Sequence, residues 1–264
     1  MAKQTEDLPS VESLGTSTPS VQQVDAWMRQ RGLTPHVIGQ SLLGQNLVVY
    51  ELILPGAGAA TSNNHNHPQA TKESSSTEET IPTILFLSLL HGNEPMGLLA
   101  LLWTVQLLQE TQDQQHATTS LPTTTTTTRI LFFPMVNVDA YQYNLQNHNE
   151  CRRTNMRKVC QRTNNQCLEQ DGVDLNRNFA FDFAPRNSNT CSQGYPGREP
   201  FSEPETQAIR RLVTKKRFGS SIGASMSFHT RANGSRPRRY YYFVHCGYER
   251  SWSELLVRAC SQSM

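Results

Sequence analysis

The segment 83–96 constrains the fold of this chain more than any other part of the sequence. Its first half is an almost unbroken apolar run, Ile-Leu-Phe-Leu-Ser-Leu-Leu, which ends at His91, and Glu94 follows three residues later. Such a run predicts a strand buried on both faces of a sheet, because a half-exposed strand alternates apolar and polar residues. Gly92 and Pro95 end the run, and the apolar residues after them predict a buried helix. We therefore predict a strand, a tight turn and a helix, with His91 and Glu94 together in the turn.

Further strands and helices alternate along the chain. The residue patterns predict helices at 21–31, 97–109 and 202–216 and strands at 46–54, 129–136 and 221–228, with a turn at 137–141. The last helix has the most complete start signal, because Ser202 is placed to act as its N-cap and Glu205 to complete a capping box. This order of elements indicates an α/β layered architecture.

Charge and composition exclude some classes of function. The 24 Lys and Arg residues nearly balance the 22 Asp and Glu residues, so the net charge does not favour nucleic acid or a membrane surface as a partner. No stretch of about twenty apolar residues is present, so we expect no transmembrane helix. The hydrophobic content of 36% is below the usual value of about 45–50% and indicates polar inserts around an ordinary core. We assign a mobile N-terminus to 1–20 and low-complexity inserts to 56–80 and 112–128.

A second histidine follows a strand in the same way as the first. His229 stands directly after the predicted strand at 221–228. If the two strands are neighbours in a parallel sheet, their carboxyl ends bring His91, Glu94 and His229 to one edge. Two histidines and one carboxylate, with a fourth position left open, are the ligands of a catalytic zinc ion. Taken singly, each residue also fits a simpler interpretation, a polar side chain that caps a strand or a helix.

Two basic segments offer groups that suit a carboxylate or an oxyanion. Asn176 and Arg177 stand side by side in Val-Asp-Leu-Asn-Arg-Asn-Phe. A guanidinium group forms two parallel bonds to a carboxylate, and an adjacent amide adds another donor. An arginine of the segment 151–157 is a second candidate, because a cation beside the metal can hold the oxyanion that forms on attack. Solvated surface charge is the competing interpretation for each basic segment.

Six short motifs in a fixed order give the chain a family resemblance over about residues 35–234. They are His91-Gly-Asn-Glu94, Pro134-Met-Val-Asn-Val-Asp-Ala-Tyr141, Arg153-Thr-Asn-Met-Arg157, Val173-Asp-Leu-Asn-Arg-Asn-Phe179, Tyr195-Pro-Gly-Arg-Glu-Pro-Phe-Ser-Glu-Pro-Glu-Thr206 and Ser227-Phe-His229. In this order they resemble the zinc metallocarboxypeptidases of the carboxypeptidase A and regulatory carboxypeptidase type. The resemblance implies a mixed, mostly parallel central sheet with helices on both faces. It places the domain at 21–234 and leaves a divergent segment at 235–264.

The resemblance also implies roles for individual residues. It implies one Zn²⁺ ion held by His91, Glu94 and His229. It implies that Asn176 and Arg177 bind the C-terminal carboxylate of a peptide or protein substrate. It implies Arg153 as the arginine that stabilises the oxyanion, with Arg152 as the alternative. The implied reaction is hydrolysis of the C-terminal peptide bond.

The cysteines give a further expectation from the same resemblance. Four of the 6 cysteines lie between Cys151 and Cys191. Cys167 and Cys191 flank the Asn-Arg segment much as a disulfide does in the family, and Cys151 with Cys160 is a second possible bridge. Such a cluster favours the secretory pathway or the extracellular space. The first residues of the chain show no apolar signal core, which points the other way.

The sequence departs from the family at its end. The family uses a late tyrosine and a late glutamate, the second as general base, further beyond the third ligand than the 35 residues that follow His229. Glu249 and Glu254 are the only side-chain carboxylates left there, and neither lies in a familiar context. We therefore expect zinc binding with very poor hydrolysis. The alternatives are a non-catalytic binder of peptide C-termini and an N-acyl amino acid deacylase of a related zinc fold.

Overall fold

The computed structural model describes nine stretches of the chain and two single residues. They are residues 10–14, 18–56, 81–117, 126–147, 152–160, 171–181, 183, 189–214, 218, 221–230 and 240–246. Most of the predicted insert at 56–80 and part of the insert at 112–128 lie outside them.

One six-stranded sheet organises the described residues. Its strands are β1 (Thr34–Gln40), β2 (Asn46–Leu54), β3 (Thr83–Ser88), β4 (Thr128–Phe133), β5 (Ile222–Thr230) and β6 (Tyr240–Cys246). They lie side by side in the order β1-β2-β4-β3-β5-β6. Strand β3 is therefore central, as its continuous apolar run predicts.

The sheet is mixed, with its parallel pairs confined to the centre. Strand β3 pairs in parallel with β4 on one side and with β5 on the other. The outer pairs, β1 with β2, β2 with β4 and β5 with β6, are antiparallel. The expected mixed α/β fold is confirmed, although the sheet is less parallel than predicted. Strand β6 lies in the segment 235–264 that we expected to diverge, yet it extends the sheet.

Four α-helices lie in the described part of the chain. They are α1 (Val21–Gln30), α2 (Pro95–Ala117), α3 (Val138–Gln146) and α4 (Pro204–Thr214). Helix α2 continues into the predicted low-complexity insert, because the Gln and Ala residues there are compatible with a helix. The turn expected at 137–141 is instead the start of α3. The predicted Ser202 cap of α4 is also wrong, since the Ser202 hydroxyl accepts from Asn178 at 2.8 Å and donates to Glu203 at 2.9 Å.

The core lies between the sheet and these helices. Phe86 of β3 stacks on Phe132 of β4 and on Phe228 of β5, with ring centroids 5.5 and 6.0 Å apart. A short 3-10 turn, Val11–Leu14, buries its two apolar residues in the same core, although it belongs to the segment 1–20 that was expected to be mobile. None of the helices in the described part of the chain combines the length and the apolar character needed to cross a membrane.

Two buried carboxylates hold the turn between β1 and β2. Asp139 of α3 accepts from the hydroxyl of Ser41 at 2.7 Å and from the amide of Leu43 at 2.8 Å. Glu205 of α4 accepts from the amide of Leu42 at 3.0 Å. Burial raises the pKa of Glu205 to about 7, and the nearby charges of Glu203 and Asp139 add to the rise. The predicted capping role of Glu205 is thus replaced by a contact with a distant turn.

We expect Glu205→Gln to stabilise the protein at pH 8. A carboxyl group whose folded-state pKa lies above its ordinary value of 4.5 stabilises the fold at low pH, and this contribution is lost as the pH rises towards about 7. The glutamine can still accept from Leu42 and never ionises. Urea denaturation should show a gain of up to about 3 kcal/mol at pH 8 and almost none at pH 4.5. The exposed Glu12→Gln serves as control, and an equal effect of the Glu205 variant at both pH values would contradict the prediction.

Candidate metal centre

The turn between β3 and α2 holds His91 and Glu94 on a constrained backbone. Strand β3 ends at Ser88, and Leu89 follows with a φ of 51°, in the left-handed region that bulky residues rarely adopt. The backbone amide of Asn137 donates to the carbonyl of Leu89 at 2.8 Å and holds it there. Backbone strain of this kind is concentrated at functional sites.

His91, Glu94 and His229 come together because β3 and β5 are parallel neighbours that end at the same edge of the sheet. Nδ1 of His91 lies 2.9 Å from Oε1 of Glu94, and Nδ1 of His229 lies 2.9 Å from Oε2 of the same carboxylate. The two imidazole centroids are 5.0 Å apart. One donor atom from each of the three residues lies within 4.8 Å of the other two. The structure thus brings together the three candidate ligands that the sequence singled out.

Hydrogen bonding outweighs burial in setting the protonation of this cluster. Side-chain burial opposes a charged imidazole, but the bonds to Asp174 and Glu94 raise the pKa of His91 above its ordinary value. Burial also opposes ionisation of Glu94, yet the bonds from His229 and His91 hold its pKa well below the usual range. Glu94 is therefore ionised at neutral pH, which a metal ligand requires.

Asp174 is the residue of this cluster that the sequence reasoning missed. Its Oδ1 lies 3.0 Å from Nε2 of His91, and the side chain is buried. A carboxylate on the far nitrogen of a metal-binding histidine fixes the tautomer and the orientation of the ring. The available signal was its position two residues before Asn176, since an aspartate in a buried segment needs a hydrogen-bonding partner.

His229 is oriented from its own strand. Its Nε2 lies 3.1 Å from the hydroxyl oxygen of Ser227, a buried residue of β5. The backbone amide of Thr230 donates to Oε2 of Glu94 at 3.1 Å. The end of β5 therefore supplies a candidate ligand, a hydroxyl that orients it and an N–H group that holds the carboxylate.

Arg153 and Arg152 occupy different positions. Nη1 of Arg153 donates to Oε1 of Glu94 at 3.1 Å, and Nη2 donates to Oδ2 of Asp174 at 3.4 Å. The Arg153 side chain is 25% exposed, so a ligand can reach it. Arg152 is buried, and its guanidinium group donates to the backbone carbonyl of Asn155. Of the two arginines considered for the oxyanion, Arg153 is the one that lies against the cluster.

The loop that carries Arg153 is fastened to the turn after β3. The carbonyl of Arg153 accepts from the amide of Gly92 at 3.0 Å and from Nδ2 of Asn137 at 3.3 Å. A Cβ atom on Gly92 would collide with Ala140 and with the carbonyl of Arg152, so this close approach requires glycine. The glycine next to His91 therefore lets the arginine approach the cluster.

Asn176 and Arg177 lie on the 3-10 turn Leu175–Arg177, which Asp174 caps. Oδ1 of Asp174 accepts from the backbone amide of Asn176 at 2.9 Å, in addition to its bond with His91. Arg177 is exposed, and its Nη1 donates to the carbonyl of Asn176 at 3.2 Å. One carboxylate therefore joins a candidate metal ligand to the candidate carboxylate clamp.

The disulfide near this turn differs from the expected pairing. Cys191 is bonded to Cys160, 31 residues earlier, so the predicted bridges Cys167–Cys191 and Cys151–Cys160 are both wrong. The Cα atoms of the bonded pair are 4.6 Å apart, and Cys151 and Cys167 lie outside the described residues. The observed bridge encloses the segment with Asp174, Asn176 and Arg177, as the predicted one would have done.

We assign the general base to none of the described residues. Glu249 and Glu254, the two carboxylates considered for it, lie outside the residues that the structure describes. Glu94 and Asp174 are both engaged with the histidines.

The donor set fits a zinc ion. Two imidazole nitrogens and one carboxylate oxygen are the ligands that catalytic zinc takes. Glu94 receives hydrogen bonds from both histidines, so a cation placed between these atoms would meet an ionised carboxylate. Asp174 and Ser227 supply the outer contacts that such histidines need.

Comparisons with known proteins point to one family. Residues 25–239 match the family described as zinc carboxypeptidase. Human carboxypeptidase B2 is 35% identical over 100 residues, which cover 37% of this chain and 22% of that protein. The inactive metallocarboxypeptidase ecm14 of Schizosaccharomyces pombe is 29% identical over 126 residues, which cover 47% of this chain and 23% of that protein. The aligned segments thus cover less than a quarter of the length of these two relatives.

A solved structure has the same fold. The carboxypeptidase A from Helicoverpa armigera superposes with a TM-score of 0.58 at 22% sequence identity, over 82% of this chain and 46% of that one.

Proposed function

Because the chain belongs to the zinc carboxypeptidase family, we propose that it binds a zinc ion and engages the C-terminal carboxylate of a peptide or protein. The proposed zinc ligands are His91, Glu94 and His229. The proposed carboxylate clamp is Asn176 with Arg177. Family membership supports the hydrolase class, and removal of a C-terminal residue is the reaction that this pair of sites would serve.

The single observation that carries the proposal is the shared hydrogen bonding of Asp174. Its Oδ1 contacts His91 at 3.0 Å and the amide of Asn176 at 2.9 Å. This shared contact supports the proposal, because removal of a terminal residue requires a carboxylate clamp close to the metal ligands.

The residues of the chain then have distinct tasks. A bound zinc ion would polarise a carbonyl group and activate water. Arg177 would exchange its bond to the Asn176 carbonyl for two bonds to the terminal carboxylate. Arg153, already beside Glu94, would donate to the scissile carbonyl oxygen as negative charge develops there. Asp174 would keep the His91 ring in place throughout.

A non-catalytic binder of peptide C-termini is the second candidate. One relative, ecm14, carries the word inactive in its name, and the general base of this chain has no assignment. A binder would need only the clamp and the metal, both of which involve described residues. We place either form of the protein in an oxidising compartment, because disulfides such as Cys160–Cys191 persist there.

We expect the zinc-loaded polypeptide to bind a peptide acid and to cleave it very slowly. Titration calorimetry should show binding of the free acid and none of the C-terminal amide, since the amide lacks the charge that Arg177 recognises. Arg177→Ala should weaken binding of the acid roughly thirtyfold, or about 2 kcal/mol, the value of a charge-assisted bond. The exposed Arg198→Ala is the control and should bind normally.

The turnover rate separates the two candidates. Release of the C-terminal residue at about 1 s⁻¹ or faster, a rate typical of enzymes, would exclude the binder and refute the expectation of poor hydrolysis. Equal affinity for acid and amide would refute the clamp.

A further inference from the structure

We propose that Glu203 is a positioning residue for the metal centre, acting through Asn155 on the two segments that carry Arg153 and Asp174. The inference rests on the proposed zinc site and deepens it. It gives a role to a buried carboxylate that belongs neither to the ligand cluster nor to the clamp.

Asn155 ties the arginine loop, residues 152–157, to the segment that carries Asp174. Its backbone amide donates to the carbonyl of Val173 at 3.0 Å. Its side-chain oxygen accepts from the amide of Val173 at 3.0 Å and from the amide of Arg157 at 3.3 Å. The next residue after Val173 is Asp174, so Asn155 fixes the relative position of the two segments that meet at the cluster.

Glu203 fixes the direction in which that side-chain amide points. Its Oε2 accepts from Nδ2 of Asn155 at 2.6 Å and from Nε of Arg157 at 2.6 Å. An amide has its donors on one side and its acceptor on the other. With Nδ2 of Asn155 held by the carboxylate, the side-chain oxygen faces Val173. Glu203 is 1% exposed, so water does not compete for these bonds.

The carboxylate also anchors both segments to the rigid part of the fold. Glu203 directly precedes α4, and its carbonyl accepts from the amide of Gln207 in that helix at 2.9 Å. Helix α4 packs on β1. Movement of the arginine loop or of Asp174 would therefore have to break the Glu203 contacts first.

Loss of the Glu203 contacts should weaken metal binding. Removing a hydrogen-bond partner of a metal ligand weakens metal binding about 10–100-fold. Glu203 acts on Asp174 through Asn155 and Val173, so we expect the low end of that range, about tenfold.

Glu205 provides a matched control. It is a buried glutamate two residues further on, in the first turn of α4. Its main contact is the amide of Leu42 at 3.0 Å, and it lies 3.5 Å from Nδ2 of Asn155. Replacing it removes an equally buried carboxylate without releasing Arg157.

The test measures the zinc dissociation constant by competition with a chromophoric chelator, and the visible spectrum of the Co²⁺-loaded protein, which reports ligand geometry. Glu203→Ala should bind zinc about tenfold more weakly and shift the Co²⁺ spectrum. Glu203→Gln should restore both readouts to within about twofold, because its amide oxygen can still accept from Asn155. Glu205→Ala should leave both unchanged. If Glu203→Ala does not fold, Glu203→Asp replaces it, since it withdraws the carboxylate by one methylene. This variant should bind zinc about threefold more weakly.

Two outcomes overturn the positioning role of Glu203. Wild-type affinity and spectrum in the alanine variant, or in the aspartate variant if that one is used, would show that Glu203 does not act on the metal. Equal losses in the Glu203 and Glu205 variants would show a general effect of removing a buried charge. Failure of the unchanged protein to bind zinc would instead refute the proposed function itself.

Discussion

Replacing His229 by alanine is expected to weaken zinc binding by about a thousandfold. Zinc sites in proteins bind with roughly 10–16 kcal/mol in total, so one of three protein ligands accounts for about 4 kcal/mol. Glu94 would lose its partner at 2.9 Å on Oε2 but keep the amide of Thr230 at 3.1 Å. The apo protein should therefore still fold. Chelator competition gives the affinity, and urea denaturation of the apo form gives the stability.

His36→Ala is the control for this experiment. Nε2 of His36 lies 2.7 Å from Oε2 of Glu51, so the pair has the same chemistry as His229 with Glu94 but belongs to β1 and β2. The His36 variant should bind zinc with unchanged affinity. A loss of less than tenfold in the His229 variant, or an equal loss in both, would remove His229 from the ligand set.

The cluster of candidate ligands could be predicted because local patterns place each histidine at the end of a strand. His91 follows an apolar run, which is typical of the centre of a sheet, and His229 follows a second predicted strand. Parallel neighbours bring their carboxyl ends together, and the pairing of β3 with β5 supplies that neighbourhood. The prediction needed only the type of each element and one adjacency. It did not need loop conformations or helix bounds.

The contacts around the cluster could not be predicted, because they join residues that are far apart in the sequence. The bond between His91 and Asp174 spans 83 residues, and the bond from Leu42 to Glu205 spans 163. The Ser202 capping box failed for the same reason. Local chemistry favoured the cap. In the structure, however, the Asn178 side chain donates to the hydroxyl of Ser202, and the amide of Leu42 donates to the carboxylate of Glu205. In each case tertiary partners took polar groups that local rules had assigned elsewhere.

The disulfide partner of Cys191 could not be predicted from the spacing of the cysteines. Cys160 and Cys167 both precede the Asn-Arg turn, and spacing alone does not tell which of them approaches Cys191. In the structure, two short hydrogen bonds position Cys160. The amides of Val159 and Cys160 donate to Oδ1 of Asp171 at 2.8 and 2.9 Å. They hold Cys160 beside Asp171, at the start of the segment that leads to Cys191.

Breaking the disulfide by Cys160→Ser is expected to lower the free energy of unfolding by about 3–4 kcal/mol. The bridge closes a loop of 31 residues, and the entropy that such a loop removes from the unfolded chain gives this value. The freed segment carries Asp174, Asn176 and Arg177, so binding of a peptide acid should weaken as well. Urea denaturation measures the stability of the oxidised protein, and mass spectrometry of its peptides identifies the bonded pair.

Cys167→Ser separates the observed pairing from the one implied by the family resemblance. It should leave the stability unchanged if Cys160 is the partner of Cys191, since Cys167 then takes no part in the bridge. If instead the Cys167 variant loses about 3–4 kcal/mol and the Cys160 variant loses none, the prediction for Cys160→Ser is refuted. A loss in both variants would mean that Cys191 exchanges between the two partners and that the loop around the clamp is held by either bond.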